Sequence, residues 1–362
     1  METHQLINDV CTLSDVKACI NEAWNLRGPI QAALPVATPV TLNYKHLKIL
    51  RNEPYFVAEK TDGVRGLLLL FRDAKDSPRA YFCSRKYQVY SAKIAAKPYF
   101  FKGYGTVLDG EYVRDKKGNA TFLVFDLITH RNKRYLNESY GIRYAKMHEI
   151  IDNELIHYRP RDIQSYSRRV RSVASTGKIV SSDVDLRIRA KRMYPLAFTS
   201  SVWNKLKHSE FPTDGLIFTP ERDGIHLGRH NRLFKWKEHY TIDLQKEGNT
   251  LYFLNNDGEI ENIFDQSICI GGKSYKFVLS SPSLTILDDD DEKEQCIVEY
   301  KLKLGWDDEQ IILNPVRRRT DKSHPNAIRS IRGILQSVAH PVDATYFCTT
   351  KAQRNEVLSN LN

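Results

Sequence analysis

The stretch "VAEKTDGVRGLLLLFR" (Val57 to Arg72) sets Lys60, Thr61, Asp62, Gly63 and Arg65 directly before an apolar run. The run reads as a buried strand, and charges at its mouth carry a desolvation penalty unless they are partnered. They either turn out into water or converge on a polar ligand. A lysine amine is a nucleophile only when neutral, and neighbouring cations or desolvation draw such an amine toward the working pH range. Arg65 is close by, and Lys235 and Lys237 stand on a distant segment, "FKWKEH". Gly63 is read as permitting a tight turn through which a phosphate approaches the backbone.

Other segments add candidate groups. "LDGEYV" sets Asp109 and Glu111 on one strand face. "FLVFDLI" holds a lone carboxylate, Asp126, in an apolar strand, which is costly without a partner. "TDGLIF" repeats an acid-glycine-apolar arrangement at Asp214, and the alternation of "FKWKEH" puts Lys235 and Lys237 on one face, suited to gripping a phosphate. "RRRTDKSHPN" supplies Arg317, Arg319, Asp321 and Lys322. Taken singly, each is more often a structural turn or a solvated face.

The elements that must position these groups are legible in outline. "TLSDVKACINEAWNLRGP" reads as a helix capped by Ser14 and ended at Gly28-Pro29, and "YKHLKILRNEP" as a second helix stopped before Pro54. From Pro54 to about Ile128 strands take over, separated by clusters such as "RDAKDSP" and "DKKGN". "NESYGIRYAKMHEII" returns to helical spacing with Asn137 as cap, followed by the strands "DGLIFTP" and "LFKWKEH". After Asp243, "NTLYFLNNDGEIENIF" predicts a hairpin turning at Asn256-Asp257-Gly258. "SICIGGKSYKFVL" and "CIVEYKLK" then suggest a small β-barrel module over about 244–340. Strands with interspersed helices favour α+β over a doubly wound sheet. The acidic run Asp288 to Glu292 reads as a solvated loop.

The chain has 362 residues, room for two domains. Fifty-four Lys and Arg against 44 Asp and Glu give a net charge of +10, which favours anionic partners without naming one. Six scattered cysteines form no CxxC pair, so a cysteine-based zinc site has no support and free thiols in a reducing compartment are the simpler reading. No apolar stretch reaches membrane-spanning length, and the N-terminus lacks a signal-peptide pattern. An intracellular soluble protein is expected, with no membrane partner. The eleven histidines are read as lacking metal-ligand spacing, which leaves zinc catalysis unsupported. "GGKS" (Gly271 to Ser274) echoes a phosphate loop, but Ser267 stands where its first glycine is required.

In this order the segments resemble one family, the covalent nucleotidyltransferases, and within it the mRNA capping guanylyltransferases of eukaryotes and large DNA viruses. The resemblance runs from about Pro39 to Ser330. "EKTDGVR", "SRKYQVY", "LDGEYV", "FLVFDLI", "TDGLIF", "FKWKEHYTIDL" and "RxRxDKxxPN" carry it. It implies an α+β fold, with a nucleotidyltransferase domain of antiparallel sheets and helices over 1–240 and a C-terminal OB-fold β-barrel over 241–340. A tail, 341–362, is expected to pack back on the first domain. It implies that Lys60 attacks the α-phosphate of GTP, releases pyrophosphate and passes GMP to the 5′-diphosphate of an RNA, leaving a GpppN cap.

By the same resemblance Lys235 and Lys237 grip the α-phosphate, and Arg319, Asp321 and Lys322 orient the pyrophosphate. Thr61, Asp62, Gly63, Arg65, Arg85, Glu111, Phe125, Lys191 and Asp214 line the nucleotide. Arg65, Arg85 and Glu111 fall on the ribose side, Phe125 stacks on guanine, and Thr61 and Lys191 (in "AKRMYPL") choose the base. Asp214 helps hold Mg²⁺ or Mn²⁺. A separate RNA triphosphatase and a cap methyltransferase would complete the cap, and docking on RNA polymerase is left open. Localisation would be nuclear for a cellular protein, or a cytoplasmic replication site or virion for a viral one. One departure is Leu313, where members often carry tryptophan, with Trp306 too far upstream to replace it. The rival readings are an ATP-dependent RNA or DNA ligase, working through lysyl-AMP, and a non-catalytic RNA-binding scaffold. Thr61, "TIDL" and "RxRxDKxxPN" speak against the ligase.

Overall fold

The structure is a computed structural model describing residues 6–7, 10–28, 34–94, 96–155, 184–185, 187–237, 239–280, 295–305, 309–320, 322–348, 350–352, 355 and 359. The chain divides into two compact units: 1–40, 53–234 and 351–362 form the first, and 41–52 with 235–350 the second. Among the described residues the strands form three sheets, with helices interspersed, so the fold is α+β.

The first unit is built on a nine-stranded sheet whose centre is Pro78–Ser84, Val64–Arg72, Thr106–Arg114 and Ala120–His130, neighbours in that order and antiparallel. Val64–Arg72 is the apolar run of the sequence. Leu67, Leu68, Leu69 and Leu70 are all fully buried because both faces of the sheet are covered. Leu68 and Leu70 pack with Phe82, Phe100 and Phe122 on one face, and Leu67 and Leu69 with Val16, Ile20 and Trp24 on the other. The sheet is mixed rather than wholly antiparallel, since Arg187–Ala190 joins Ala120–His130 in parallel. A second, five-stranded sheet contains Tyr55–Thr61 beside Thr213–Pro220, antiparallel, and then Gly228–Trp236.

The helix boundaries differ from the sequence expectation. The first helix spans Val10–Trp24, so Ser14 lies inside it rather than at its cap. Its buried face is Val16, Cys19, Ile20, Ala23 and Trp24, and half-buried Leu13 packs against the same core one turn earlier. The helix Tyr140–His148 is capped by Ser139, whose hydroxyl accepts from the Ile142 N–H, not by Asn137. Asp126 has the partner its position demands: Arg143, from that helix, grips it through two nitrogens at 2.7 and 2.9 Å.

The second unit is a seven-stranded sheet with the helix Ile328–Ala339 packed in its core. Thr250–Leu254 and Ile260–Asn262 form the expected hairpin, with Gly258 at φ +86°. "GGKS" begins at the turn of another hairpin, where Gly271 and Gly272 adopt φ +61° and +85°, a backbone conformation that suits glycine and owes nothing to a phosphate. Leu313 is fully buried in this core. Trp306, Asp321 and the run 288–292 lie outside the described residues. All six cysteines are free. No helix among the described residues is long and apolar enough to cross a membrane.

Candidate active site

Lys60 is the penultimate residue of Tyr55–Thr61, at the end of a strand of the five-stranded sheet, where the chain crosses through Asp62-Gly63 to Val64–Arg72 in the nine-stranded sheet. Thr213 pairs with Thr61 and Leu216 with Glu59, so Asp214 and Gly215 together oppose Lys60. Two residues facing one is a β-bulge, a device that re-aims a side chain. Gly215 takes φ +151° there, and Asp214 Oδ1 accepts from Lys60 Nζ at 2.6 Å. Gly63 has a different duty from the one its sequence suggests. A Cβ at this position would lie 2.5 Å from the Tyr112 carbonyl oxygen and from Val113 Cγ1, so glycine is needed for close packing of strands. Asp62 is exposed, its N–H bonded to the Pro212 carbonyl at 2.9 Å.

One residue beyond the lysine, Thr61 is buried and donates its hydroxyl to Glu111 Oε2 in a short hydrogen bond. Lys191 Nζ donates to the same hydroxyl oxygen at 2.9 Å. The parallel strand Arg187–Ala190 delivers Lys191, whose own N–H bonds the Val124 carbonyl at 2.7 Å. Burial pushes the Lys191 amine below the ordinary lysine range, while Glu111 and Glu59 oppose the shift.

Phe125 also sits on a bulge. Asp126 pairs with Asp109 and Val124 with Gly110, which leaves Phe125 as the extra residue. The Arg65 guanidinium lies 5.1 Å from its ring centroid and Lys191 Nζ 6.0 Å. Arg65 itself is clamped by Asp109 through two nitrogens at 3.1 and 2.7 Å and donates to the Ala37 carbonyl. Burial alone would favour its neutral form, but the charge and hydrogen bonds of Asp109 outweigh that and raise the Arg65 pKa. Arg85 is exposed, close enough to Arg65 and Asp109 to feel both charges. A cavity of about 380 Å³ is lined by Glu59, Thr61, Lys191, Arg192 and Phe211 among others.

The remaining expected groups belong to the second unit. Lys235 and Lys237 are half-buried and flank the buried Trp236, consistent with strand alternation. Arg319 reaches Asp243 Oδ1 at 3.0 Å, and Lys322 makes a short contact with Asp243 Oδ2. Asn326 closes the arrangement, its side chain accepting from the Asp243 N–H at 2.9 Å and its N–H donating to the Asp243 carbonyl at 2.7 Å. The aspartate of "TIDL" therefore holds the distal "RxRxDKxxPN" segment. Arg317 donates to Glu299 at 2.8 Å. Burial would raise the Glu299 carboxyl, but Thr241 and Arg317 hold it below its usual range. Asp321 lies outside the described residues.

Sequence reasoning passed over Asp243 and Glu299 as anchors and named Asp109 without its partner. The signal for Asp109 was its place two residues from Glu111; Glu299 offered none. The reading that the histidines lack metal-ligand spacing is also incorrect, because His226 and His230 stand four residues apart.

An amine at a strand end faces a bulge-held carboxylate, and two cations, one of them bonded to a buried hydroxyl, lie beside one aromatic ring. This defines an anion-handling lysine site in an α+β protein of two units. The sequence matches the family described as mRNA capping enzyme, catalytic domain, over residues 2–239, and the chain belongs to that family. It is 26% identical over 260 residues to the mRNA-capping enzyme subunit alpha of Neurospora crassa, covering 68% of this chain and 61% of that one. It is 24% identical over 331 residues to the mRNA-capping enzyme of Caenorhabditis elegans, covering 86% of this chain and 48% of that one. The mRNA-capping enzyme subunit alpha of Schizosaccharomyces pombe is 24% identical over 353 residues, 90% of this chain and 81% of that one. The chain thus spans about three fifths and about half of the first two relatives' lengths. A solved mycobacterial DNA ligase D aligns over 80% of this chain and 95% of its own at 15% identity, with a TM-score of 0.39.

Proposed function

We propose that the protein is an mRNA guanylyltransferase that moves GMP from GTP through Lys60 to the 5′-diphosphate end of an RNA. The observation that carries this reading is the Lys191 ammonium and Thr61 hydroxyl joined at 2.9 Å, one residue from the candidate nucleophile. An ammonium only donates hydrogen bonds. Guanine presents an acceptor at O6 where adenine presents a donor amino group, so a lysine here favours GTP over the ATP of a ligase. Phe125, the extra residue of a bulge, offers the face on which a base stacks, with Lys191 Nζ 6.0 Å from its ring centroid. Arg65, Arg85 and Glu111 take the ribose side.

Lys60 Nζ attacks the α-phosphorus, forming a P–N bond as the bond to the bridging oxygen breaks and pyrophosphate leaves with the electron pair. The amine gives up a proton on attack, and Asp214 Oδ1, 2.6 Å away, is the base within reach. In the second step a terminal oxygen of the RNA diphosphate forms the new P–O bond while the P–N bond returns its electrons to Lys60. Lys235 and Lys237 would bind the α-phosphate, and Arg319, Asp321 and Lys322 the departing pyrophosphate. Asp214 is partly exposed and offers a carboxylate, the kind of donor Mg²⁺ takes together with water and phosphate oxygens. When bound, Mg²⁺ or Mn²⁺ would neutralise charge on those oxygens.

The seven-stranded unit is read as an OB-like module carrying the pyrophosphate residues. A separate RNA triphosphatase would supply the diphosphate end and a methyltransferase would act on the product. The name "subunit alpha" in relatives is compatible with such partners.

Covalent labelling tests the reading. With α-labelled GTP and Mg²⁺, the expected outcome is label that survives denaturation and alkali, is released by acid, and disappears in Lys60→Ala. Label from ATP instead would indicate a ligase, and none from either would indicate a scaffold.

A further inference from the structure

We propose that Asp223, His226 and His230 form a three-ligand site for a borderline divalent transition ion, of which zinc is the best fit. One carboxylate oxygen and one ring nitrogen from each histidine lie within 4.8 Å of one another. His230 Nε2 and Asp223 Oδ2 are 3.1 Å apart, and the two imidazoles lie flat on each other with centroids at 3.9 Å. Tetrahedral zinc with bonds of about 2.0–2.1 Å separates its ligand atoms by roughly 3.3 Å, so the pair of closest ligands already has the required spacing.

The cluster is held from outside. The loop that carries Asp223 and His226 runs between Thr213–Pro220 and Gly228–Trp236. Its Glu221 carbonyl accepts from the Gly141 N–H at 3.1 Å, its Asp223 carbonyl from Arg143 Nη1 at 2.9 Å, and its Ile225 N–H donates to the Leu136 carbonyl at 2.8 Å. Gly224 packs so closely that a Cβ would meet the Leu136 carbonyl oxygen at 2.7 Å. The loop backbone is thus positioned by the fold before any ion arrives, which lowers the ordering entropy that binding must overcome. The exposed His226 ring, stacked on His230, turns about its side-chain bonds to bring its nitrogen lone pair onto the ion.

The charge balance permits a dication. Asp223 Oδ1 is 3.3 Å from Arg232, which also pairs with Glu53, and Arg143 pairs with Asp126. Three carboxylates against two guanidiniums leave one negative charge. Arg232 on the second oxygen orients the carboxylate, as outer partners do in metal sites. Two imidazoles and one carboxylate select a borderline ion over Mg²⁺ or Ca²⁺, which take oxygen ligands. His226 is exposed, leaving an entry path and room for water as a fourth ligand.

The site is separate from the nucleotide chemistry. Asp214 and Pro220 stand at opposite ends of one strand, on the order of 20 Å apart at the usual rise per residue. The ion would tie the loop to the following strand.

The test uses the full chain in excess Mg²⁺, which occupies oxygen-donor sites. Zn²⁺ is titrated in competition with a chromophoric chelator, and Co²⁺ is followed by visible absorption. One tight equivalent with tetrahedral or five-coordinate Co²⁺ bands is expected, and His226→Ala should weaken that equivalent at least about 100-fold. His226 is exposed, so the substitution takes away its ring stack on His230 and leaves the buried core untouched. Absence of a tight equivalent, or one that His226→Ala leaves unchanged, overturns the proposal.

Discussion

At the scale of single residues, the Lys191 ammonium, held by the Thr61 hydroxyl, carries the argument for guanine, and the argument extends to measurable selectivity. Hydrogen bonds involving a charged group are worth about 1.5–3 kcal/mol, or roughly 10- to 150-fold. Lys191→Met should therefore lower the rate of GTP labelling by about that factor. It should also erase the preference for GTP over the triphosphate of 2-aminopurine riboside, which lacks O6. An unchanged preference in competition labelling would remove Lys191 from base recognition. A second residue sets an acid limit. Thr106 donates its hydroxyl to the Phe100 carbonyl at 2.9 Å, so the same oxygen accepts from His130 Nδ1–H at 3.0 Å. Nε2 is left buried without a partner, and protonating it would bury an unsatisfied N–H. Burial, first, and then the charge of Arg131 depress the His130 pKa to about 4. The unfolded chain takes up this proton near pH 6.5 and the folded chain does not. Stability is therefore unaffected above pH 6.5 and falls between pH 6.5 and 4, by at most about 3 kcal/mol. Urea unfolding across that range should show the fall, and His130→Asn should flatten it.

At the scale of elements, strands and their order were legible because period and turn chemistry are local signals, and the buried leucine run allowed only one reading. The bulges were not legible. A bulge is a property of two strands paired in a given register, and nothing in "FLVFDLI" or "TDGLIF" alone says that Phe125 or the Asp214-Gly215 pair is the extra residue. Both bulges aim a candidate site side chain, so the sequence yielded the residues without the geometry that makes them a site. The cross-strand pair Gly66 and Gly110 was equally hidden. A Cβ on Gly110 would lie 2.6 Å from Phe122 Cζ and from the Leu123 carbonyl oxygen, and one on Gly66 would lie 2.6 Å from Phe82 Cζ. Rings from the flanking strands occupy the space both glycines vacate. Gly110→Ala should destabilise the first unit by about 1–3 kcal/mol, as overpacking does. Gly333→Ala, in the helix Ile328–Ala339 with open space around it, should stabilise the second unit by up to about 1 kcal/mol. Denaturant midpoints for the two variants should move in opposite directions.

At the scale of the whole molecule, a linear reading places a boundary near residue 240 and assigns everything before it to one domain, because the strands of a second module begin after Asp243. The contacts divide the chain differently, since 41–52 belongs with 235–350. Tertiary partners far along the chain decide this, and no local pattern in "YKHLKILRNEP" announces them. Leu42 and Leu50 are buried. The Leu42 N–H bonds the Lys235 carbonyl at 2.8 Å, Tyr44 meets His340 edge-on at 5.0 Å, and Arg51 lies over the Tyr346 ring at 5.0 Å. A chain truncated after residue 240 keeps the first of these and loses the other two, together with most of the sheet of its unit. Residues 41–52 are then a short helical segment without its partners, and a helix of this length has little stability in water by itself. Limited proteolysis of the truncated chain should cut within 41–52 while the full chain resists at the same positions. Hydrogen exchange should show protection lost from Leu42 to Asn52 and retained in the central strands Val64–Arg72 and Thr106–Arg114. Equal protection of 41–52 in both chains would mean that this segment draws its stability from the first unit, and the division of the chain would have to be redrawn.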